Sequence, residues 1–290
     1  MSIAAKITLK DLVRRTENLP VFSQTAHRIM KLADKSDVTA LQMANEISAD
    51  PAIAIRVLRL ANSAFYGMPK KVSELRQAVV ILGNKSVRSL ALAAASYPWI
   101  SRTLPGYRMG PQAMLVHSFG TAHCAKMVAE CSGKVDPNSA FTAGLIHDIG
   151  KVAMDVNLVE KTDALIYLSK REKIHFDETE RRVFGFDHAE VGAFLAEQWN
   201  IPDELLAAIR FHHATHRLPE VPPIVDCVHI GIHLVEQLGF GLSADGQYYG
   251  FDENSLERLG IQVSKLDEIA DNLREVCEEH NSLFDLLEAA

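Results

Sequence analysis

Apolar positions along this chain recur with the 3.6-residue period of amphipathic helices, and the strict alternation of strands is nearly absent. Asp37 or Thr39 can cap a helix through LQMANEISA. In DPAIAIRVLRLAN, Asp50 stands at a cap and Pro51 in the first turn, where its missing N–H costs nothing. Ile53, Val57 and Leu60 then share one face, with Ala54, Leu58 and Ala61 beside it. Gly67 and Pro69 break the chain. VSELRQAVVILG predicts a helix closed at Gly83. Ser86 can cap the next, VRSLALAAAS, expected to end at Pro98. YPWISRTLPGYRMGP (97–111) reads as a linker or subdomain boundary.

Helical patterns resume beyond it. QAMLVHSFGTAHCAKMVAEC is long and rich in small residues. Asn138 or Ser139 can cap the helix carrying AGLIHDIGKVAM. Asp187 and Glu190 have capping-box spacing, so a helix should begin near His188 and end near Asn200. Pro202 starts PDELLAAIRFHHA, and Pro222-Pro223 precede IVDCVHIGIHLVEQLG. The tail after Gly250 predicts two further short helices. The whole chain is therefore expected to be all-α, with no repeat of 20–50 residues.

Composition narrows the class. Of 290 residues, 48% are hydrophobic, enough for a real core. With 37 acidic and 30 basic residues the net charge is −7, which argues against a general nucleic-acid binder. Cys124, Cys131, Cys227 and Cys277 form no C-x-x-C pair and predict reduced thiols. MSIAAKITLKDLVRR lacks the apolar core of a signal peptide. No apolar run reaches the ~20 residues of a membrane span; SLALAAASYPWI is too short. The expectation is a soluble, cytoplasmic protein with no membrane and no nucleic-acid partner.

The candidate chemistry lies in the second half. His117, His147, His188 and the adjacent His212-His213 fall on separate predicted helices, and Asp148 follows His147 directly. Singly, each reads more simply as a satisfied core or surface residue, and His-His suits a helix C-terminus. Jointly, they could converge in a bundle as metal ligands. Imidazoles with one carboxylate suit iron, manganese, nickel or zinc, in a mononuclear or dinuclear site. The matching chemistry is metal-assisted hydrolysis. Asp148 and Lys151 are then the candidate catalytic residues. Lys151, one helical turn after Asp148, could neutralise charge on a phosphate.

Several stretches resemble a known family. LPVFSQTAHRIMKLAD, the DP of SADPAIAIRVLRLANSAFYG, AVVILGNKSVRSLALA, HSFGTAHCAKMVAE, AFTAGLIHDIGKV, FDHAEVGAFLAEQWNIPDELLAAIRFHHA and IVDCVHIGIHLVEQLG together resemble the HDOD domain. ANSAFYG (61–67) and Leu82-Gly83 are its most specific marks. The likeness covers about residues 10–240. It implies a two-lobed helical fold, with an N-terminal lobe over 10–105 and an HD-like lobe with a helical tail over 106–290. It also implies a bacterial signalling output domain, related to HD and HD-GYP phosphohydrolases, in a family where many members have lost the metal ligands.

Carried over residue by residue, His117, His147 and Asp148 match the HD-type ligands and Lys151 the lysine after the dyad. His188, His212 and His213 match the additional histidines of the HD-GYP type. The resemblance implies a last ligand aspartate where this chain has Ile232. His229 or His233 could compensate, while Asp226 faces another side of the helix. The GYP stretch is missing. Within ANSAFYG, Asn62 and Ser63 are expected to tie down backbone, Phe65 to fill the core and Gly67 to take positive φ; with Tyr66 they could instead present a partner surface.

Three functions remain open at this stage. One is an output module with a largely retained metal site. Another is a metal-dependent phosphohydrolase acting on a nucleotide or phosphodiester. The third is a bound metal that is structural or senses a ligand. Partners would be a signalling protein or a small nucleotide. No receiver domain or G-x-x-x-x-G-K-[ST] loop is found, so input is expected from another protein, a ligand or the acidic tail.

Overall fold

The structure is a computed structural model, and it describes residues 8–9, 11–12, 24–33, 37–62, 71–245 and 251–275. These are helical, with no strand among the described residues beyond an isolated bridge between Leu104 and Met109. They divide into two compact units, one drawn from 24–97 with 271–275 and the other mainly from 98–270.

The first unit holds α1 (Gln24–Ala33), α2 (Ala40–Ser48) and α3 (Pro51–Ala61), packed in succession. Thr39 caps α2 with a full capping box to Gln42. Asp50 caps α3 through Ala52 N and Ile53 N, with Pro51 in the first turn. Ile53, Val57 and Leu60 are buried on one face, as their spacing predicts. Asn62 does tie down backbone. Its Nδ2 donates to Leu58 O and Val72 O, both at 2.7 Å, and its Oδ1 accepts from Val72 N at 2.6 Å. Ser63, Phe65, Tyr66, Gly67 and Pro69 lie outside the described residues.

α4 (Leu75–Ile100) corrects one expectation. Gly83 breaks the helical path with φ 83° and ψ 159°, as predicted, but the helix runs on through Pro98 to Ile100. By length and composition this helix could cross a membrane, yet 56% of its most apolar window is buried. The prolines of 97–111 do not make a loose linker, although the two units divide at 97/98, where this stretch begins, as its reading as a subdomain boundary expects. Leu104, Tyr107 and Met109 are at most 1% exposed, and Pro105–Tyr107 form a 3-10 turn.

The second unit continues with α5 (Ala113–Ser132), α6 (Pro137–Ile146), α7 (Ile149–Leu158), α8 (Thr162–Glu172), α9 (Phe176–Phe184), α10 (His188–Gln198), α11 (Asp203–Phe211), α12 (Pro223–Gln237) and α13 (Asn254–Leu259). Residues 264–275 are also helical; the tail beyond them, with Cys277, lies outside the described residues. α5 packs against α6 and α12, and α10 against α7 and α11. Asp136, rather than Asn138 or Ser139, caps α6, accepting from both of their backbone N–H groups with Pro137 at the first turn. A proline directly after the capping residue explains the shift: it belongs inside the first turn, so the cap must precede it. The expected Asp187–Glu190 capping box opens α10.

The His-Asp dyad is not inside one helix. His147 closes α6 and Asp148, with φ −96° and ψ 13°, opens α7. Gly150 explains how α7 reaches α10. A Cβ there would run into His188 O and come within 2.5 Å of Gly192 N. Only a residue without a side chain permits this backbone approach, which delivers His188 to Asp148.

Candidate metal centre

Three helix ends and one helix interior converge on Asp148, which opens α7 and is 1% exposed. His117 comes from the interior of α5, His147 from the end of α6 and His188 from the start of α10. His212 and His213 come from the end of α11. All six predicted ligands are buried together. Asp148, His188, His212 and His213 form one group able to hold an ion, and His117, His147 and Asp148 another.

The two groups use different oxygens of one carboxylate. His117 Nε2 and His147 Nε2 lie 3.5 and 3.3 Å from Asp148 Oδ2. His188 Nε2 and His212 Nε2 each lie 3.5 Å from Oδ1. The opposite ring nitrogens fix how these imidazoles present themselves. His147 Nδ1 donates to Gly144 O at 2.6 Å, His212 Nδ1 to Ile209 O at 2.8 Å, and His188 Nδ1 to Glu180 Oε2 at 2.7 Å. An oxygen with no hydrogen accepts each bond, so Nδ1 carries the proton in all three rings and Nε2 is left facing inward. Metal-ligating histidines are held in this way.

The result is acceptor facing acceptor. His188 Nε2 and His212 Nε2 are 3.4 Å apart, and His147 Nε2 is buried with no hydrogen-bond partner while facing Asp148 Oδ2. Something positive must lie between such lone pairs, either a proton or a metal ion. The donor set therefore fits a transition-metal ion.

Electrostatics divide the rings. Burial pulls His117 and His213 well below the ordinary imidazole range and His212 down to about 4, which favours the neutral rings that bind metals. Burial also opposes charge on His188, but the Glu180 carboxylate outweighs it and pushes His188 up to about 9, so with no metal bound a proton on its Nε2 is what faces His212 Nε2. Asp148 resists its burial because His147 and Lys151 favour its charged form, holding it well below the usual carboxylate range. Two carboxylates raise Lys151 against the same burial.

Sequence reasoning missed three members of this site. Glu180 is wholly buried; it accepts from His188 N at 3.0 Å and from Tyr107 OH at 2.6 Å. Tyr107 comes from the stretch read as a linker or subdomain boundary. Asp245 faces Lys151 Nζ at 2.8 Å, while Lys151 Nζ is 2.6 Å from Asp148 Oδ2.

His229 and His233 do not replace the missing aspartate. His229 Nδ1 donates to His212 O at 2.8 Å and its Nε2 accepts from Asp252 N at 3.0 Å, leaving no lone pair for an ion. His233 stacks on Phe251, with ring centroids 4.3 Å apart. Asp226 is held by Arg258 at 2.6 Å. Ile232 is 3% exposed within the apolar face of α12.

The HDOD domain family profile matches residues 19–215. The chain belongs to the HDOD domain family. An HDOD domain protein of unknown function from Geobacter sulfurreducens is 26% identical, with a TM-score of 0.70 over 97% of this chain and 96% of that one. Two further structures share the fold. A candidate phosphohydrolase of Shewanella amazonensis SB2B has a TM-score of 0.70 at 24% identity, over 95% of this chain and 97% of that one. A candidate signal transduction protein of Marinobacter aquaeolei VT8 has 0.75 at 21% identity, over 95% of this chain and 61% of that one. An uncharacterised protein of Treponema pallidum (strain Nichols) is 25% identical over 216 residues, 74% of this chain. That match spans only 41% of the relative's length. The HDOD fold and its buried His/Asp cluster are thus as the sequence implies.

Proposed function

We propose that this chain is a bacterial signal-transduction HDOD domain that holds a divalent transition metal as a regulatory or ligand-sensing centre. Iron, manganese, nickel and zinc all suit the donor set. Asp148, His188, His212 and His213 would hold the ion, with His117 and His147 on the far side of Asp148. One observation carries the reading: the 3.4 Å approach of two buried Nε2 atoms whose Nδ1 atoms are already donating. When bound, the metal would supply Lewis acidity and an activated water.

Turnover is the second reading. It draws on Lys151, a buried cation beside Asp148. A phosphate clamp needs free donors, however, and the Lys151 ammonium already serves two carboxylates. To hold a phosphate it would have to release one of them. This favours sensing over hydrolysis. The expected partner is a signalling protein or a small nucleotide. A cytoplasmic setting belongs to the same proposal, supported by Cys124, Cys131 and Cys227, which stand as thiols outside any disulfide.

Elemental analysis of the purified chain, paired with a phosphodiesterase assay on bis(p-nitrophenyl) phosphate and cyclic dinucleotides, tests both readings. Metal that is lost in Asp148→Ala, without turnover in the wild type, supports the regulatory centre. Metal-dependent turnover abolished by Asp148→Ala would make the chain a phosphohydrolase instead. A folded wild type that takes up no metal after reloading would sink both.

A further inference from the structure

We infer that a cavity lined by the chain just after His213 is an effector site for a guanine base, linked through Asp252 to the metal ligands. The base site stands on its own; its link to the metal rests on the reading above. The cavity measures about 520 Å3, within the about 300–1,000 Å3 usual for small-molecule sites. Thr215, Leu218, Pro219 and Glu220 line it from the segment between α11 and α12. Asp226 of α12, Asp252 before α13, Arg258 within α13 and Lys134 after α5 line it as well.

Arg258 is the fixed part of this site. Its Nε and Nη2 donate to Asp226 at 2.8 and 2.6 Å, and Nη2 also donates to Asp252 at 2.7 Å. Asp226 is wholly buried, so it anchors the guanidinium at the cavity wall. Arg258 Nη1 makes no hydrogen bond among the described residues. Lys134 Nζ donates one hydrogen to Arg258 O at 2.6 Å and keeps two more. Unlike Lys151, these cations have donors to spare. Glu220 is exposed, and no described residue hydrogen-bonds to its carboxylate.

The open groups select the ligand. Glu220, Asp226 and Asp252 exceed Lys134 and Arg258 by one negative charge, so these walls do not favour a phosphate. A neutral ring fits them, with acceptors on one edge and donors on the next. Guanine has that pattern. Its O6 and N7 accept from a guanidinium or an ammonium, and its N1–H and N2–H groups donate to a carboxylate. Adenine presents an N6–H donor where guanine presents O6, which sets donor against donor. Leu218, Pro219 and Pro223 supply apolar surface against which a planar ring can lie.

Two hydrogen-bonded routes join this cavity to the metal ligands. Asp252 Oδ2 accepts from Thr215 Oγ1 at 2.8 Å, two residues after His213. Asp252 N donates to His229 Nε2 at 3.0 Å, and His229 Nδ1 donates to His212 O at 2.8 Å. A base held by Arg258 steadies the guanidinium that holds Asp252, and with it both routes. The base should then tighten the metal, and the metal the base, by the same factor.

Isothermal titration calorimetry of the full chain with guanosine, GMP and AMP tests the site, first with metal stripped by a chelator and then with Mn2+ restored. Guanosine and GMP should bind the stripped chain alike, and AMP about tenfold more weakly or worse. Glu220→Ala and Lys134→Ala, both at exposed positions, should each weaken guanosine about fivefold or more. Guanosine has no phosphate to reach the metal, so its response to Mn2+ reports the link. Mn2+ should tighten guanosine about fivefold or more, and this gain should shrink in His229→Ala. No guanosine binding, equal binding of AMP, or unchanged affinity in both surface variants would overturn the base site. Guanosine affinity that is the same with and without bound Mn2+ would overturn the link. A chain that binds guanosine but takes up no metal supports the base site and removes the metal reading, with the link.

Discussion

His188 donates its Nδ1 hydrogen to Glu180 across 2.7 Å, with both side chains wholly out of solvent. The same carboxylate receives His188 N and Tyr107 OH, so it fixes the ring, its backbone and the neighbouring turn at once. Carboxylates of this kind orient a ligand imidazole and raise its basicity, and their loss typically costs 10–100-fold in metal affinity. Glu180→Gln keeps the shape and removes the charge. It is expected to weaken metal binding about tenfold or more, measured by competition with a chelator. Unchanged affinity would show that His188 is not a ligand.

Gly150 gives a sharper structural test. Its missing Cβ is what lets α7 meet the backbone of His188 and Gly192, and neither neighbour is a side chain that can swing away. Overpacking usually costs about 1–3 kcal/mol, more where backbone must move. Gly150→Ala should therefore lose about 3 kcal/mol or more of stability in urea unfolding. Any folded fraction should bind metal weakly, because α10 carries His188 away from Asp148. Wild-type stability would mean that the helices are less tightly apposed.

The elements and ligands that the sequence revealed are those with local signatures. Asp50-Pro51, Thr39–Gln42 and Asp187–Glu190 announce helix starts because the cap and its partner lie within three residues. His117, His147, Asp148, His188, His212 and His213 were legible only jointly, through the stretches that resemble the HD and HD-GYP ligand patterns. Glu180 was not. It sits in FDETERRVF, a charged helix whose sequence looks solvated, and only the approach of α9 to α10 turns its carboxylate inward. Asp245 lies in a loop after α12 with no periodicity to place it. Tyr107 was hidden by prolines that suggest a linker but here shape a buried turn. Pro98 failed as a stop signal because local propensity is a weak prior inside a packed helix.

His229 separates a structural histidine from a ligand. It joins His212 O to Asp252 N and thereby ties the end of α11 to the segment before α13. His229→Ala leaves one carbonyl and one N–H without their partner. That should destabilise the chain by about 2 kcal/mol or more, with metal stoichiometry unchanged in the folded protein. His212→Ala should instead lose the metal. Unfolding curves paired with elemental analysis check both, and loss of metal in a folded His229→Ala would restore His229 as a ligand.

Asp252 supplies the clearest pH dependence away from the histidines. Its partial burial favours the neutral acid, but hydrogen bonds from Arg258 and Thr215 outweigh that and hold it down to about 2, against 3.8 for a free aspartate. A depressed acid binds fewer protons in the folded chain than in the unfolded one. Its contribution is therefore complete above about pH 4 and is lost as pH falls toward 2. Because the group is partly exposed, screening limits the effect to the order of 1 kcal/mol. Asp252→Asn keeps the side chain's size and removes its titration. Other carboxylates also titrate in this window, so the informative quantity is the difference between the two proteins. Wild type should be the more stable near neutral pH, and the gap should narrow steadily from pH 4 to pH 2 in thermal unfolding. A gap that stays constant across that range would show that Asp252 is not held by Arg258 in solution.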